Sequence, residues 1–328
     1  MRRLLAGLAL AALTAVAGAA CSDSESGSSS DAAAKPSGSG GKTTAVKVGV
    51  IPIVDVAPIY LGKEKGFYSK RGLDLTLVPA QGGAAIVPGV VSGEFQFGFS
   101  NVTSLIIAQS KKIPVKAVAN GVASTGKDGA DFGGITVPKD SSVKTAKDLE
   151  GKKVAVNTLK NIGDTSVKAS VRKAGGDPSK VEFVELPFDQ MGAALEGGRI
   201  DAAWVVEPGL TSITSKGGRV IASNYVDVAP DLTVALYFTS ASYAAEHADV
   251  VEQFAAATKE SLAYAQSNPD EVRRIVTTYT EIPGALIEKL TLPAWPQEPN
   301  RASIDTLAEL GRGDGLFPEV PDLDELLP

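Results

Sequence analysis

Short apolar runs and amphipathic segments alternate along most of this chain. Val46-Lys47-Val48-Gly49-Val50-Ile51 predicts a buried strand. Residues 59–65 predict a helix, with Asp55 as a candidate N-cap and Gly66 as its stop. Leu73-Asp74-Leu75-Thr76-Leu77-Val78 alternates with period two, as a half-buried strand does. A helix over 84–92 closed by Gly93, a strand over 95–99 and a helix over 103–110 complete the first block. A second block repeats the scheme: strand 153–156, helix 164–174, strand 181–186, helix 190–196 and strand 200–206. Its helices stop at Gly175-Gly176 and Gly197-Gly198. From Ser242 onward the pattern is helical, over 248–266, 269–279, 285–290 and 303–310. Alternating strands and helices predict an α/β protein with mixed, mostly parallel sheets and helices on both faces. Two such sheets in one chain imply two lobes with a cleft between them.

The N-terminus obeys another logic. Met1-Arg2-Arg3 is basic, and Leu4 to Ala20 is an unbroken run of Leu, Ala, Val, Gly and one Thr. Its length suits a signal peptide over 1–20 better than a membrane-spanning helix, so the body of the protein is expected to be exported. Cys21 ends the run, and Val16-Ala17-Gly18-Ala19-Ala20-Cys21 resembles a bacterial lipoprotein signal whose cysteine is lipidated and becomes the new N-terminus. Gly18 departs from the Leu-like residue usual three places before that cysteine. Ordinary cleavage after Ala17-Gly18-Ala19 is the alternative. Half of residues 21–44 are Ser or Gly, with no aromatic residue and no Val, Leu or Ile. Such a segment cannot bury a core, and residues 21–45 read as a flexible tether reaching about 25–30 Å.

Composition narrows the chemistry. The 328 residues predict about two domains. One histidine, His247, and one cysteine, Cys21, leave no His- or Cys-rich zinc site, no Cys-x-x-Cys pair and no intrachain disulfide. A net charge of −6 argues against nucleic-acid binding through bulk charge.

Several stretches carry a family resemblance. Gly62-Lys63-Glu64-Lys65-Gly66-Phe67-Tyr68 followed by Gly72-Leu73-Asp74-Leu75 is similar to the opening of the nitrate/sulfonate/taurine-type solute-binding proteins of ABC importers. Gln81-Gly82-Gly83, Ser92-Gly93-Glu94-Phe95-Gln96-Phe97-Gly98 and Lys147-Asp148-Leu149-Glu150-Gly151-Lys152-Lys153 continue it. So do Asp201-Ala202-Ala203-Trp204-Val205-Val206-Glu207-Pro208 and the terminal Gly315-Leu316 and Asp322-Leu323-Asp324-Glu325-Leu326-Leu327. The resemblance implies a periplasmic-binding-protein-like fold of type II. Lobe I would hold 46–125 plus 230–328, lobe II 126–229, and two hinge strands would join them. It further implies a monomer that closes on a small solute and docks on an ABC permease and its ATPase, without catalytic residue, cofactor or metal.

Ligands of open parallel sheets sit beyond the carboxyl ends of the strands, where helix N-termini favour anions. The candidates are therefore Asp55; Gln81 and Gly82; Ser100, Asn101 and Thr103; Thr158 and Thr165; and Trp204 and Glu207. Each has a plainer reading. Asp55, Gln81, Ser100 and Asn101 could be helix caps, and Thr158 and Thr165 could simply flank a helix start. Trp204 could be core, and Glu207 a solvated strand end. Tyr60, Phe188 and Tyr237 read as packing. No arginine falls in these loops, and Lys160 is the lysine near them. Asp55 and Glu207 would repel an anion unless they face away or bind an amine, so sulfonate, nitrate, taurine, zwitterion, heterocycle and aromatic ligands all stay open. A same-fold enzyme, a desulfinase or pyrimidine-precursor synthase, would need Cys21 or His247. A ligand sensor for a membrane receptor would use the same cleft.

Overall fold

The computed structural model describes residues 43–327. The expected signal peptide, the lipidation site Cys21 and nearly all of the expected tether lie outside the described residues. The tether gives way to β1 (Thr44–Val50) two residues early, because Thr44 and Ala45 pair with Leu73 and Asp74. Next come α1 (Ala57–Glu64), β2 (Leu73–Pro79), α2 (Gly83–Val91), β3 (Phe97–Asn101), α3 (Val102–Ser110) and β4 (Val115–Ala123). The second block is β5 (Gly133–Val137), β6 (Lys153–Val156), α4 (Ile162–Lys173), β7 (Glu182–Glu185), α5 (Phe188–Glu196) and β8 (Ala202–Val206). It ends with α6 (Gly209–Ser215), β9 (Arg219–Ala222) and α7 (Asn224–Val228). The chain then runs through β10 (Thr233–Ser240), α8 (Ala241–Glu246), α9 (Ala248–Ser267), α10 (Pro269–Val276), α11 (Arg301–Gly313) and α12 (Leu323–Leu326).

These strands form two five-stranded sheets, ordered β2-β1-β3-β10-β4 and β7-β6-β8-β5-β9. The three strands at one end of each sheet are parallel, as the α/β pattern predicts. In each sheet the next strand runs antiparallel, and it is the strand that arrives from the other sheet. β10 pairs with β3 and β4, and β5 pairs with β8 and β9. The backbone leaves the first sheet after Ala123 and rejoins it at Thr233.

Local sequence explains most elements. β2 alternates buried and exposed positions along its first half. β8 is buried throughout, yet period two still sorts it: Ala202, Trp204 and Val206 join the large core, while Ala203 and Val205 join a smaller one with Met191 and Leu195. α1 begins at Ala57, two residues before the expected start, with Pro58 in its first turn where a missing N–H costs nothing. α4 begins at Ile162 with Asn161 as cap, Asp164 in its first turn and Arg172 and Lys173 in its last, a charge order that suits its dipole. The third strand starts at Phe97, not Phe95, because Phe95 N–H donates to Gly89 O in a turn. The 285–290 segment forms a 3-10 helix (Gly284–Lys289), and α10 ends at Val276, short of Tyr279.

α9 covers the first sheet. Phe254 stacks on Phe97 at 3.8 Å between ring centres, and Tyr68 Oη lies 3.0 Å from Thr258 Oγ1. α1 meets α9 so closely that a Cβ at Gly62 would stand 1.9 Å from Ser261 Oγ.

Candidate ligand-binding site

The loops at the carboxyl ends of β1, β2, β3, β6 and β8 face one another across the two sheets. A Cβ at Gly82, the N-cap of α2, would lie 3.0 Å from Asn157 Nδ2 and 3.3 Å from Thr158 Oγ1. Ser104 in α3 accepts a buried hydrogen bond at 2.9 Å from Asn161 Nδ2, at the start of α4. Val54 N–H donates to Glu207 O at 3.1 Å. Gly163, in the first turn of α4, lets that helix lie on Trp204, whose ring a Cβ would meet at 2.6 Å.

The sequence-derived residues fall into three groups. Asn101 is a helix cap: its Oδ1 accepts from Ser104 N–H at 2.9 Å. Ser100 is buried in β3 and its hydroxyl bonds to Asn101 O at 3.4 Å. Gln81 is exposed and Thr158 half-buried at the rim. Glu207 is not a solvated strand end. It is buried, and its carboxylate accepts from Thr211 N–H (2.9 Å), Thr211 Oγ1 (2.7 Å) and Thr291 N–H (3.1 Å), clasping β8 to the C-terminal segment. Burial pushes its pKa up, and those bonds oppose the shift.

The remaining four are buried with an unpartnered polar atom each: Asp55 Oδ1, Thr103 Oγ1, Thr165 Oγ1 and Trp204 Nε1. Asp55 caps nothing; neither the 3-10 turn Val54–Val56 nor α1 has a side-chain cap. Trp204 Nε1 lies near the Tyr225 hydroxyl without acceptable hydrogen-bond geometry. Buried polar atoms without partners cost about 1–3 kcal/mol each and are few in native proteins, and these four sit at loops drawn from both sheets.

Other residues join the site that no local pattern reveals. Trp295 Nε1 donates to Asp55 O at 3.0 Å, and Tyr279 Oη to Ile53 O at 3.2 Å. Asp131, on the first connection between the sheets, accepts from Ser124 Oγ (2.7 Å) and from the Thr125 and Phe132 amides (2.9 and 3.0 Å). Burial still raises its pKa. Burial also raises Asp164, whose Oδ1 is unpartnered, and Asn224 Oδ1 is a further buried acceptor without a donor. Asp55 is pushed up to about 8, first by burial and then by the charge of Asp131. A cavity of about 140 Å³ lies beside this region, lined by Asp131, Glu207, Thr211, Lys289 and Thr291 among others.

His247 is exposed at the α8–α9 junction, its ring 4.5 Å from that of Tyr243. Among the described residues, no group of three or more His, Cys, Asp or Glu is placed to hold a metal ion.

Two five-stranded sheets exchanging strands, with convergent loops between them, define a periplasmic-binding-protein-like fold of type II. Solved structures share it. The alkanesulfonate-binding protein SsuA from Xanthomonas axonopodis pv. citri, bound to MOPS, aligns with a TM-score of 0.74 at 18% identity, covering 88% of this chain and 99% of that one. The periplasmic nitrate-binding protein NrtA from Synechocystis PCC 6803 aligns with a TM-score of 0.76 at 17% identity, covering 87% and 86%. The family model described as NMT1/THI5 like matches residues 53–272, and the chain belongs to that family. The formylaminopyrimidine-binding protein of Halalkalibacterium halodurans is 24% identical over 67% of this chain. The taurine-binding periplasmic protein of Escherichia coli K12 is 27% identical over 57% of it. The chain spans 65% and 56% of the length of these two relatives.

Proposed function

We propose that this chain is a non-catalytic solute-binding protein that holds one small molecule between its two sheet layers and presents it to the permease of an ABC importer. The observation that carries this is the set of buried, unpartnered polar atoms of Asp55, Thr103, Thr165 and Trp204 at loops from both sheets. The relatives' names, which specify binding of sulfonate, nitrate, taurine or formylaminopyrimidine, support it. Residues 46–125 plus 230–328 act as one lobe and 126–229 as the other, moving about the connections before β5 and β10. The protein acts as a monomer, exported by its signal peptide and held to the outer face of the membrane by lipid on Cys21.

A ligand-screening thermal melt on the purified chain tests the reading. A bound solute raises the melting temperature by mass action and is recovered chemically unchanged. Turnover of a bound compound by the protein sinks the proposal. The lobe motion has its own test. At Gly82 a Cβ already crowds Asn157 Nδ2 (3.0 Å) and Thr158 Oγ1 (3.3 Å), so the larger Gly82→Leu side chain should wedge these loops apart. X-ray scattering should then show a larger radius of gyration than wild type, and ligand should no longer compact the protein. An unchanged scattering profile removes the closure model.

A further inference from the structure

Helix α4 belongs with the second sheet but is fastened at both ends to segments of the first. Within its own half, Ser170 Oγ donates to Asp227 Oδ2 at 2.6 Å and Lys173 Nζ to Asp227 Oδ1 at 2.8 Å. At its start, Asn161 Nδ2 donates to Ser104 Oγ of α3. In its last turn, Arg172 pairs with Asp314 at the end of α11. Residues 161 and 172 stand about 16 Å apart along the helix axis, so the second fastening is remote from the convergent loops.

α11 is tied to the first sheet. Thr233, where the backbone rejoins that sheet, donates its N–H to Ser303 Oγ at 3.0 Å, and its Oγ1 accepts from Asn300 N–H at 2.8 Å. Asp314 lies at the far end of this 13-residue helix, about 20 Å from the crossing. A rotation of about 10° at the crossing carries that end about 3 Å, enough to break an ion pair.

Asp314 stands where local physics disfavours it. It caps the C-terminus of α11, the negative end of the helix dipole. Gly315 follows in the left-handed conformation, with its N–H on Arg312 O and Leu316 N–H on Gly311 O, both at 3.0 Å, so the turn is fixed. The Asp314 side chain is 1% exposed and its Oδ2 has no partner, while Oδ1 accepts from Arg172. The neighbouring Arg312 is turned to Glu309. A desolvated carboxylate at a negative helix end requires a cation, and here the cation arrives from a helix of the other sheet.

We infer that the Arg172–Asp314 pair is a latch between the lobes that sets how much of the empty protein is closed. The inference rests on the two-lobed binding-protein reading and adds a control to it. A solute that binds the closed form has its apparent affinity scaled by the closed fraction, so the latch tunes affinity without touching the solute.

X-ray scattering on the full chain without added solute tests the latch. The Arg172 side chain is 39% exposed, so it can be changed without opening a core cavity. Arg172→Lys keeps the charge and should keep the wild-type radius of gyration. Arg172→Met should raise it, as the ratio of closed to open molecules falls about two- to fivefold. Arg172→Glu, which sets two carboxylates against each other, should raise it furthest. All three should keep the wild-type circular dichroism spectrum. Gly82→Leu, measured alongside, reports lobe motion independently of the latch. If Gly82→Leu expands the protein while Arg172→Met and Arg172→Glu do not, the pair merely staples two helices and the latch is overturned. Equal expansion by Arg172→Lys and Arg172→Glu also overturns it, because charge then plays no part. If no variant expands, Gly82→Leu included, lobe closure itself falls and the latch with it.

Discussion

Asp55→Asn is expected to melt at a higher temperature than the unmodified protein when no ligand is present, and the gap should widen as pH rises. The folded protein holds the Asp55 carboxyl at about 8, against an ordinary value of 3.8. Below pH 4 the carboxyl is protonated whether the chain is folded or not, and it costs nothing. Between pH 4 and pH 8 the unfolded chain releases the proton and the folded chain keeps it, so stability falls with rising pH. Above pH 8 both states are ionised and the loss levels off. Asparagine has no proton to release. The gain should be about 2–5 °C at pH 8 and smaller at pH 5, for a protein of this size. Melting curves of both proteins from pH 4 to pH 8 test this, and parallel curves refute it. Under the proposed binding role, Asp55 weakens the empty fold, a trade of stability for function.

Trp295→Ala carries the largest stability loss expected of a single substitution here. Trp295 is 2% exposed, and its backbone N–H donates to Gln266 Oε1 at 2.8 Å. The preceding Ala294 exchanges two backbone hydrogen bonds with Ala123, at the end of β4 where the chain leaves the first sheet. The indole thus props the turn bearing Asp55, and the backbone just before it holds that exit. Removing it leaves a large cavity and an unsatisfied Asp55 carbonyl, worth about 3–5 kcal/mol. Trp295→Phe keeps most of the packing but not the donor, and should cost about 1–2 kcal/mol. Urea titrations of the three proteins give the order. Equal losses for the two variants would show that the hydrogen bond, not the volume, carries the effect.

Elements with a distinct face were legible in the sequence. β2 alternates, α4 has a cap and charged ends, and glycines at 66, 93, 175 and 198 adopt the left-handed conformation that stops a helix. β4 and β10 escaped notice for a physical reason. β10 is buried at every position and β4 at all but one, so neither alternates, and Asn120 and Gly121 interrupt β4's apolar run. Gly121 is needed there because a Cβ would stand 2.6 Å from Ala235 O on β10, a contact invisible from β4 alone. β5 and β9 are short edge or crossing strands whose register comes from the sheet they join.

The site divides in the same way. The parallel-strand rule led to loops that the fold brings together across the two sheets, because a strand's direction fixes which end its loop occupies. It did not separate satisfied side chains from open ones. Asn101 and Glu207 are satisfied by neighbours 3 to 84 residues away, whereas Asp55, Thr103, Thr165 and Trp204 are left open. Trp295 reaches Asp55 from 240 residues away and Tyr279 reaches Ile53 from 226, and no spacing announces either.

What the chain settled alone was its α/β rhythm and its family resemblance, since period, caps and strand direction are local properties. Which carboxyl stands buried without a partner was decided only when distant segments met, because desolvation and hydrogen bonding belong to a neighbourhood and not to a residue.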